Sequence, residues 1–350
     1  MTGDAISAHG TDAADARHKS EWHHFTFTDD AAGVNGMVNL AVSGDVRNGE
    51  RCRAAVSLIV YEREHGWSGT MNVYTRDDVR FASGQIDLAV GENAVRFAGG
   101  RYHVRARLKD DSVALDATWT PQAEAVRIEN MGGFINTFIV PRLATSGEVV
   151  IRGRRVALQA VPGYHDHNWG TWDWSRDLGW NWGYLLEAPS SGPAGTATSI
   201  VFGQVTDATR SAARTELVLM VWRGDELTHV FLDDAVTLEI AGRRAVAVPR
   251  VPGVMALLNP GRASRIPERL VIRARDGDDE LEIEYVVEHA VQLLIPHSTG
   301  LQHTVVSELV GEYRLRGRLD GTPVAFRCGG FAELAGAGQT RALPRIGVGV

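Results

Sequence analysis

The residues with the clearest chemical potential form one continuous stretch, Gly163-Tyr164-His165-Asp166-His167-Asn168-Trp169-Gly170. It places a phenol, two imidazoles, a carboxyl, an amide and an indole at six consecutive positions. Buried polar groups cost free energy unless they have partners, so such a stretch more often lines a site than fills a core. Five of the nine tryptophans lie between positions 169 and 182. The sequence therefore predicts a polar site surrounded by aromatic rings.

Acid chemistry on an apolar substrate is one interpretation of this stretch. A carboxyl among aromatic rings loses hydration, which raises its pKa and keeps it protonated near neutral pH. Such an acid can protonate a carbon–carbon double bond. Tryptophan and tyrosine faces then stabilise the carbocation, by about 2 kcal/mol or more for a dry contact. We predict Asp166 as the acid, with His167 and His165 tuning its proton or directing water.

Two other interpretations stay open. In a strand, residues two apart share a face, which puts His165, His167 and Trp169 on one side. The opposite side then carries Tyr164, Asp166 and Asn168. A His-x-His pair on one face is a possible metal-ligand pair, with further donors from His23, His24, His297 or His303. Alternatively, the stretch is structural, with Asp166 bonded to backbone amides and each histidine satisfied at an interface.

Composition limits the class of protein. A chain of 350 residues suggests two domains of ordinary size, and 44% hydrophobic with 23% charged residues is typical of a soluble globular protein. A net charge of −7 argues against binding to nucleic acid or anionic membranes. The two cysteines, Cys52 and Cys328, are too few for a disulfide framework. With no apolar run near the ~18–20 residues of a membrane span and no signal-peptide core in residues 1–20, we predict a cytoplasmic protein.

Alternation of apolar and polar residues dominates the chain and predicts an almost all-β fold. Glycine, asparagine and aspartate separate the alternating segments at intervals typical of sandwiches and barrels. The predicted strands cover residues 38–42, 55–61, 69–74, 85–90, 101–108, 113–119, 199–205, 216–222, 236–240, 269–275, 281–288 and 311–319.

A weak internal repeat refines this picture. The segments 21–25, 53–61 and 72–79 are echoed, in order, by 180–184, 214–222 and 229–236. Aligned residues in the three pairs are 158, 161 and 156 positions apart. A near-constant offset over three strands is what tandem duplication leaves. We therefore predict two similar antiparallel barrels that meet near residues 170–178, and clefts between domains are favoured ligand sites.

Three segments also carry a family resemblance. The run 138–142, a short hairpin through Gly147 and Gly153, and the stretch 163–170 resemble the hydroxyneurosporene synthase (carotenoid 1,2-hydratase) and AttH-like lipocalin superfamily. The opening Glu21-Trp22, followed by a Phe-x-Phe strand, is similar to the start of these proteins. The resemblance covers residues 21–335. It implies two lipocalin-like barrels and hydration of polyenes without a cofactor, with terpenoid cyclases and pericyclases among the relatives.

The resemblance also implies site residues. It assigns a catalytic or substrate-lining role to Asp166, His167 and Trp169, and extends to His165 and Asn168. The aromatic pair that follows the opening Glu-Trp in the family is replaced here by His23-His24, which predicts a more polar barrel mouth. Tyr184 is the best match to a further catalytic residue, with Asp173 and Asp177 as alternative proton donors. The predicted catalytic residues are Asp166, His167, His165 and Tyr184. The predicted substrate-binding residues are Tyr164, Asn168, Trp169, Trp180, Trp182, Trp22 and His24.

The sequence thus predicts an all-β protein of two tandem lipocalin-like antiparallel β-barrels. We expect a tail over 1–20, a first domain over 21–175 and a second over 176–350. The predicted function is a hydratase or cyclase that acts by acid catalysis on an isoprenoid, terpenoid or polyene in natural-product biosynthesis, with no metal and no cofactor. A pericyclase and a non-catalytic carrier of a hydrophobic metabolite are the alternatives. The predicted partner is a hydrophobic small molecule, and the oligomeric state stays open.

Overall fold

The computed structural model describes residues 4–5, 18–46, 52–82, 84–174, 177–188, 197–258, 264–296 and 303–337. About 75% of these residues lie in β-strands and about 3% in helices, so the predicted all-β class is confirmed. Most of the predicted tail lies outside the described residues, as do positions 175 and 176, where the predicted domain boundary falls. That boundary stays a prediction. No helix in these ranges is long and apolar enough to cross a membrane.

The first sheet has twelve strands and forms a nearly closed barrel. Its strands alternate in burial, as in Arg101–Arg107, where every second side chain points into the barrel core. A 3₁₀ turn at Arg76–Asp78 follows the fourth strand. The strands are β1 Lys19–Asp29, β2 Val34–Gly44, β3 Cys52–Glu62, β4 Gly66–Thr75, β5 Val79–Phe81, β6 Asp87–Val90, β7 Asn93–Ala98, β8 Arg101–Arg107, β9 Val113–Pro121, β10 Val126–Met131, β11 Ile135–Ile151 and β12 Arg154–Thr171.

The second sheet has ten strands and curves into a half-barrel. It contains a 3₁₀ turn at Asp233–Ala235 and the short helix α1 at Gly253–Leu258. The strands are β13 Gly179–Leu186, β14 Thr198–Thr206, β15 Val218–Arg223, β16 Glu226–Phe231, β17 Val236–Val246, β18 Arg250–Val251, β19 Ser264–Asp276, β20 Asp279–Pro296, β21 His303–Leu319 and β22 Thr322–Ala337. Each strand range predicted from the sequence overlaps one of the observed strands, but several observed strands extend well beyond the predicted range, most of all β20 and β21.

The segments of the predicted repeat occupy equivalent places in the two sheets. The opening strand β1 lies between β2 and the last strand β12, and β13 lies in the same way between β14 and β22. The second and third matched segments fall on β3 and β15 and on β4 and β16. A 3₁₀ turn follows both β4 and β16. The topology therefore supports a tandem duplication.

The opening strands of the two copies pack against each other. Positions on β1 contact their repeat equivalents on β13, each 158 residues further along the chain. The three contacts are a stack of Trp22 on Trp180 at 6.0 Å, an edge contact of His24 with Trp182 at 5.5 Å, and a hydrogen bond from Thr26 Oγ1 to Tyr184 Oη at 2.7 Å. The interface thus resembles that of a symmetric dimer whose two copies are joined in one chain.

A buried arginine also connects the two sheets. Arg142 of β11 is 6% exposed. Its guanidinium donates to Ser199 Oγ at 2.8 Å and to the carbonyls of Glu187 and Thr198 at 2.8 and 2.9 Å. All three acceptors belong to the second sheet or its β13–β14 connection. The side chain therefore satisfies backbone groups that the interface buries.

We predict that Arg142→Met destabilises the protein by roughly 2–5 kcal/mol, because buried carbonyls lose their donors. Urea unfolding followed by tryptophan fluorescence measures the change. Arg314→Met is the matched control, since Arg314 is exposed and pairs with Glu312 on the surface; we expect little change there. Equal stability of Arg142→Met and wild type would contradict the structural role.

Candidate active site

A cavity of about 1440 Å³ lies between the two sheets. Strands of both copies supply its walls, β1–β4 and β10–β12 from the first sheet and β13–β16 and β20–β22 from the second. Indole rings form a large part of the lining. They belong to Trp22, Trp172, Trp174, Trp180 and Trp182. A cavity therefore lies near the junction of the two copies, where the sequence predicts a ligand site.

The indoles contact one another and hold their faces in place. The ring of Trp22 contacts that of Trp172 edge-on, with 5.4 Å between their centroids, and its centroid lies 6.1 Å from that of Trp174. Trp174 in turn lies 6.2 Å from Trp180. Such pairs prefer edge-to-face and offset arrangements, which restrict the rings more than burial alone. The result is an aromatic wall whose π-faces attract positive charge.

Asp166 lines this cavity from the first sheet. Its residue is 7% exposed and sits directly opposite His24 on β1. The carboxyl accepts hydrogen bonds from Asn168 Nδ2 and from the Tyr164 hydroxyl. Burial raises the pKa of Asp166 to about 8, and the neighbouring charge of Glu333 adds to the rise. No lysine or arginine of the described ranges forms an ion pair with it, so the acid stays protonated near neutral pH.

Two glutamates line the cavity from the second sheet, and the sequence analysis did not identify them. Glu308 of β21 and Glu333 of β22 are directly opposite in the antiparallel ladder. Glu333 accepts a hydrogen bond from Trp180 Nε1 at 2.8 Å. Like charges in directly opposite positions destabilise a sheet. Burial raises the pKa of Glu308 well above its usual range, and the charge of Glu333 raises it further. The pair therefore holds a proton.

The acids of the two sheets face each other across the interface. His24 Nε2 lies 3.8 Å from Glu333 Oε1. Asp166 is opposite His24, and Glu333 is opposite Trp182, the repeat equivalent of His24. Asp166 and Glu333 thus occupy equivalent places in the two copies. The sequence does hold a signal for this pairing, because Gly163-Tyr164-x-Asp166 is matched by Gly330-Phe331-x-Glu333.

The structure brings together most of the predicted site residues and separates the rest. Those that line the cavity are Asp166, Tyr164, Asn168, Trp180, Trp182, Trp22 and His24. Those that do not are His165, His167, Trp169 and Tyr184. The alternation of β12 explains the first three, since they point to the opposite side of the strand, towards the core of the first barrel. Asp173, proposed as another donor, also lines the cavity, and its backbone amide donates to Asp177.

The expected role of Tyr184 needs correction. Tyr184 is 1% exposed and lies between the two sheets rather than at the cavity wall. Its hydroxyl accepts the hydrogen bond from Thr26, and its ring stacks on Tyr164 at 4.8 Å. Burial raises its pKa far above the usual range. These contacts hold Tyr164, which in turn contacts Asp166, so Tyr184 supports the site from behind.

The expected roles of His165 and His167 need correction as well. His165 donates from Nδ1 to the His24 carbonyl at 2.9 Å, and its ring stacks on Phe25. His167 is fully buried between two carboxylates, Asp4 at 2.6 Å and Glu21 at 2.9 Å. Because both of its ring nitrogens donate, the ring is an imidazolium. Burial alone lowers the pKa of His167, but the Asp4 and Glu21 carboxylates raise it to about 9 overall.

The inside of the first barrel also holds two groups of potential metal ligands, and a third, outside it, consists of His229, Asp279 and Asp320. His23 lies parallel to His167 at 4.0 Å, and its ring nitrogens have no hydrogen-bond partner among the described residues. His23 forms one group of potential ligands with Asp4 and His165 and another with Glu21 and His167. Metal binding needs neutral imidazoles, whereas His167 is protonated by its two carboxylates. His297 lies outside the described residues, and His303, though buried, is not among the cavity-lining residues.

Comparison with solved structures shows the fold. An AttH protein of Nitrosomonas europaea has a TM-score of 0.63 and 13% identity, covering 96% of this chain and 98% of that chain. Kievitone hydratase of Nectria haematococca has a TM-score of 0.57 and 16% identity, covering 90% and 88%. CghA has a TM-score of 0.56 and 12% identity, covering 93% and 90%. No protein-family model and no curated protein matches the chain. The chain therefore has the AttH-like lipocalin architecture of these proteins.

We predict that His167→Gln destabilises the protein by roughly 3–5 kcal/mol at pH 6, because it removes the cation between two buried carboxylates. The folded pKa of His167, about 9, exceeds its value of about 6.5 in the unfolded chain. The stabilisation is thus complete below pH 6.5 and lost as the pH rises through 9. Urea unfolding at several pH values should show the deficit shrinking above pH 8. His103→Gln, on the exposed face of β8, is the control, and a deficit independent of pH would contradict the ion-pair assignment.

We further predict that the inside of the first barrel holds no stoichiometric metal, because an imidazolium at His167 cannot act as a ligand and already contacts Asp4 and Glu21, the carboxylates of the two groups. Elemental analysis by inductively coupled plasma mass spectrometry measures this. One zinc per chain, lost in His23→Ala, would overturn the ion-pair interpretation of the barrel interior.

Proposed function

We propose that this protein is a hydratase or cyclase that starts its reaction by protonating an alkene of an isoprenoid or polyene. Asp166 is the proton donor. The observation that carries the proposal is a carboxyl buried in the wall of an aromatic cavity, with no ion pair to a lysine or arginine of the described ranges; burial raises its pKa to about 8. A carboxyl kept in its acid form near neutral pH is the requirement for this chemistry.

The proposed reaction balances in two steps. First, the Asp166 O–H bond breaks while the alkene π-electrons form a C–H bond at the less substituted carbon. The other carbon becomes a cation and Asp166 a carboxylate. In a hydratase, water then adds to the cation and its surplus proton returns to Asp166. In a cyclase, a second double bond adds instead, and loss of a C–H proton restores the acid.

The cavity supports the cation between these steps. The side chains of Trp22, Trp180 and Trp182 line the cavity, and each well-placed contact of a cation with a ring face is worth about 2 kcal/mol or more in a dry site. Indoles stabilise a carbocation without capturing it as a nucleophile. Tyr164 and Asn168 hold the Asp166 carboxyl in place through their hydrogen bonds, so the donor is oriented before the substrate arrives.

Cavity size and lining support an apolar substrate of considerable length. Ligand pockets commonly measure about 300–1000 Å³, and this cavity is larger. It has room for a terpenoid or a linear polyketide-like chain. The fold likeness to kievitone hydratase adds an analogy, since that enzyme is named for a hydration. The assignment to natural-product biosynthesis belongs to the proposal as well.

We predict that Asp166→Asn lowers turnover by about 10²–10⁴-fold, because it removes a general acid, while ligand binding changes little. Kievitone, farnesol and geranylgeraniol in D₂O are suitable probes, with deuterium gain and mass change of the products followed by mass spectrometry. Asp173→Asn tests the alternative donor suggested by the sequence, which also lines the cavity, and a loss confined to that variant would move the donor role there. Turnover that survives Asp166→Asn would favour a pericyclase, and tight binding without any product would favour a carrier.

A further inference from the structure

We infer that the second-sheet side of the cavity binds an organic ammonium group, so that the substrate carries a protonated amine in addition to its alkene. The site is formed by Glu308, Glu333 and the indoles beside them. The alkene part of this inference rests on the proposed function. The amine part rests on the carboxyl pair and its surroundings.

Glu308 lines the cavity and has a carboxyl oxygen that accepts no hydrogen bond from the described residues. The residue is 1% exposed, lines the hollow, and its Oε2 has no hydrogen-bond partner among the described residues. A buried polar atom without a partner is costly. Glu333 stands directly opposite, so the two carboxyls offer several acceptor positions and one shared proton. An ammonium group, with up to three donors, matches this set.

The protein supplies no strong cation to this pair within the described ranges. The nearest basic group there is His24, with Nε2 at 3.8 Å from Glu333. Burial lowers the pKa of His24, so its ring is neutral at pH 7. Arg53 also lines the cavity, but it is exposed and its guanidinium donates to the Cys52 carbonyl. The negative charge on the second-sheet wall is therefore left for a ligand to neutralise.

The indoles complete the site for an organic cation. Trp180 donates to Glu333 and stacks on Trp22, and both side chains line the cavity. Trp182 lies beside Glu333 in the register of β13 and β22. A carboxylate next to tryptophan faces favours a cation that carries apolar substituents, because the rings attract both the charge and the carbon groups. This arrangement points to an alkylammonium head with an isoprenoid or polyene tail.

Binding of the amine at this wall would also serve the proposed reaction. Anchoring one end of the substrate at Glu308 and Glu333 directs the rest of the chain towards Asp166 on the facing sheet, which reduces the orientational freedom of the alkene. The ammonium charge also favours ionisation of nearby acids. Asp166 would thus become a stronger acid when the substrate is in place.

A matched pair of probes tests the inference. Geranylamine and geraniol share one carbon skeleton and differ in the ammonium and hydroxyl heads. Titration of the whole protein at pH 7, followed by isothermal calorimetry and tryptophan fluorescence, measures both affinities. We expect geranylamine to bind at least tenfold more tightly than geraniol. Glu308→Gln and Glu333→Gln should each abolish most of that preference while changing geraniol affinity less than about twofold. Glu216→Gln, at the exposed rim of the same cavity, removes the same charge and should keep the preference.

The outcomes separate this inference from the proposed function. If geraniol binds as tightly as geranylamine, the ammonium site is overturned while an apolar substrate cavity stands. The ammonium site is likewise overturned if the preference survives both glutamine variants, or if Glu216→Gln removes it equally. If neither probe binds, the ammonium site and the isoprenoid cavity both fail.

Discussion

Burial of carboxyl groups that pair with no lysine or arginine of the described chain is the constraint on which this site depends. Asp166, Glu308 and Glu333 sit on neighbouring walls of one hollow, each less than a tenth exposed. An ionised carboxylate in such surroundings is so unfavourable that the group takes up a proton or finds a positive partner. The protein can hold them there only because rigid, paired strands fix their positions. Both proposed properties, proton donation and cation binding, follow from the free-energy cost of burying an ionised carboxylate.

The duplicated fold explains why the acids meet. The opening strand of each copy packs on its own equivalent, so residues that are related by the repeat face each other. The neighbouring last strands then bring Asp166 and Glu333 to the same hollow. Divergence between the copies creates the chemistry at this pseudosymmetric interface. His24 in one copy corresponds to Trp182 in the other, and the strand next to Glu333 adds Glu308, whereas the strand next to Asp166 contributes Ile139.

The sequence predicts the first-sheet half of the site, around Asp166, more readily than the second-sheet half, which contains Glu308 and Glu333. Asp166 stands in a dense polar run, and strand alternation correctly predicted which neighbours share its face. Glu333 stands between Ala332 and Leu334 and looks like an isolated polar residue. Its partner Glu308 is 25 positions earlier and comes opposite only through the register of β21 and β22. Extending the repeat to the last strands would have located Glu333. Asp4, by contrast, lies in a segment whose composition gave no sign of a partner inside the barrel.

Adjacent residues on the two faces of β12 therefore differ in charge: His167 is a cation on one face, and Asp166 is a protonated acid on the other. The inward face holds the His167 imidazolium, which would by itself depress the pKa of any acid close by. Its charge is taken up by Asp4 and Glu21, which contact both ring nitrogens. Asp166, one position away on the outward face, consequently gains little from this cation, and its pKa is set mainly by burial and by Glu333. The carboxylates inside the barrel thus protect the acid outside it, even though they never contact the cavity.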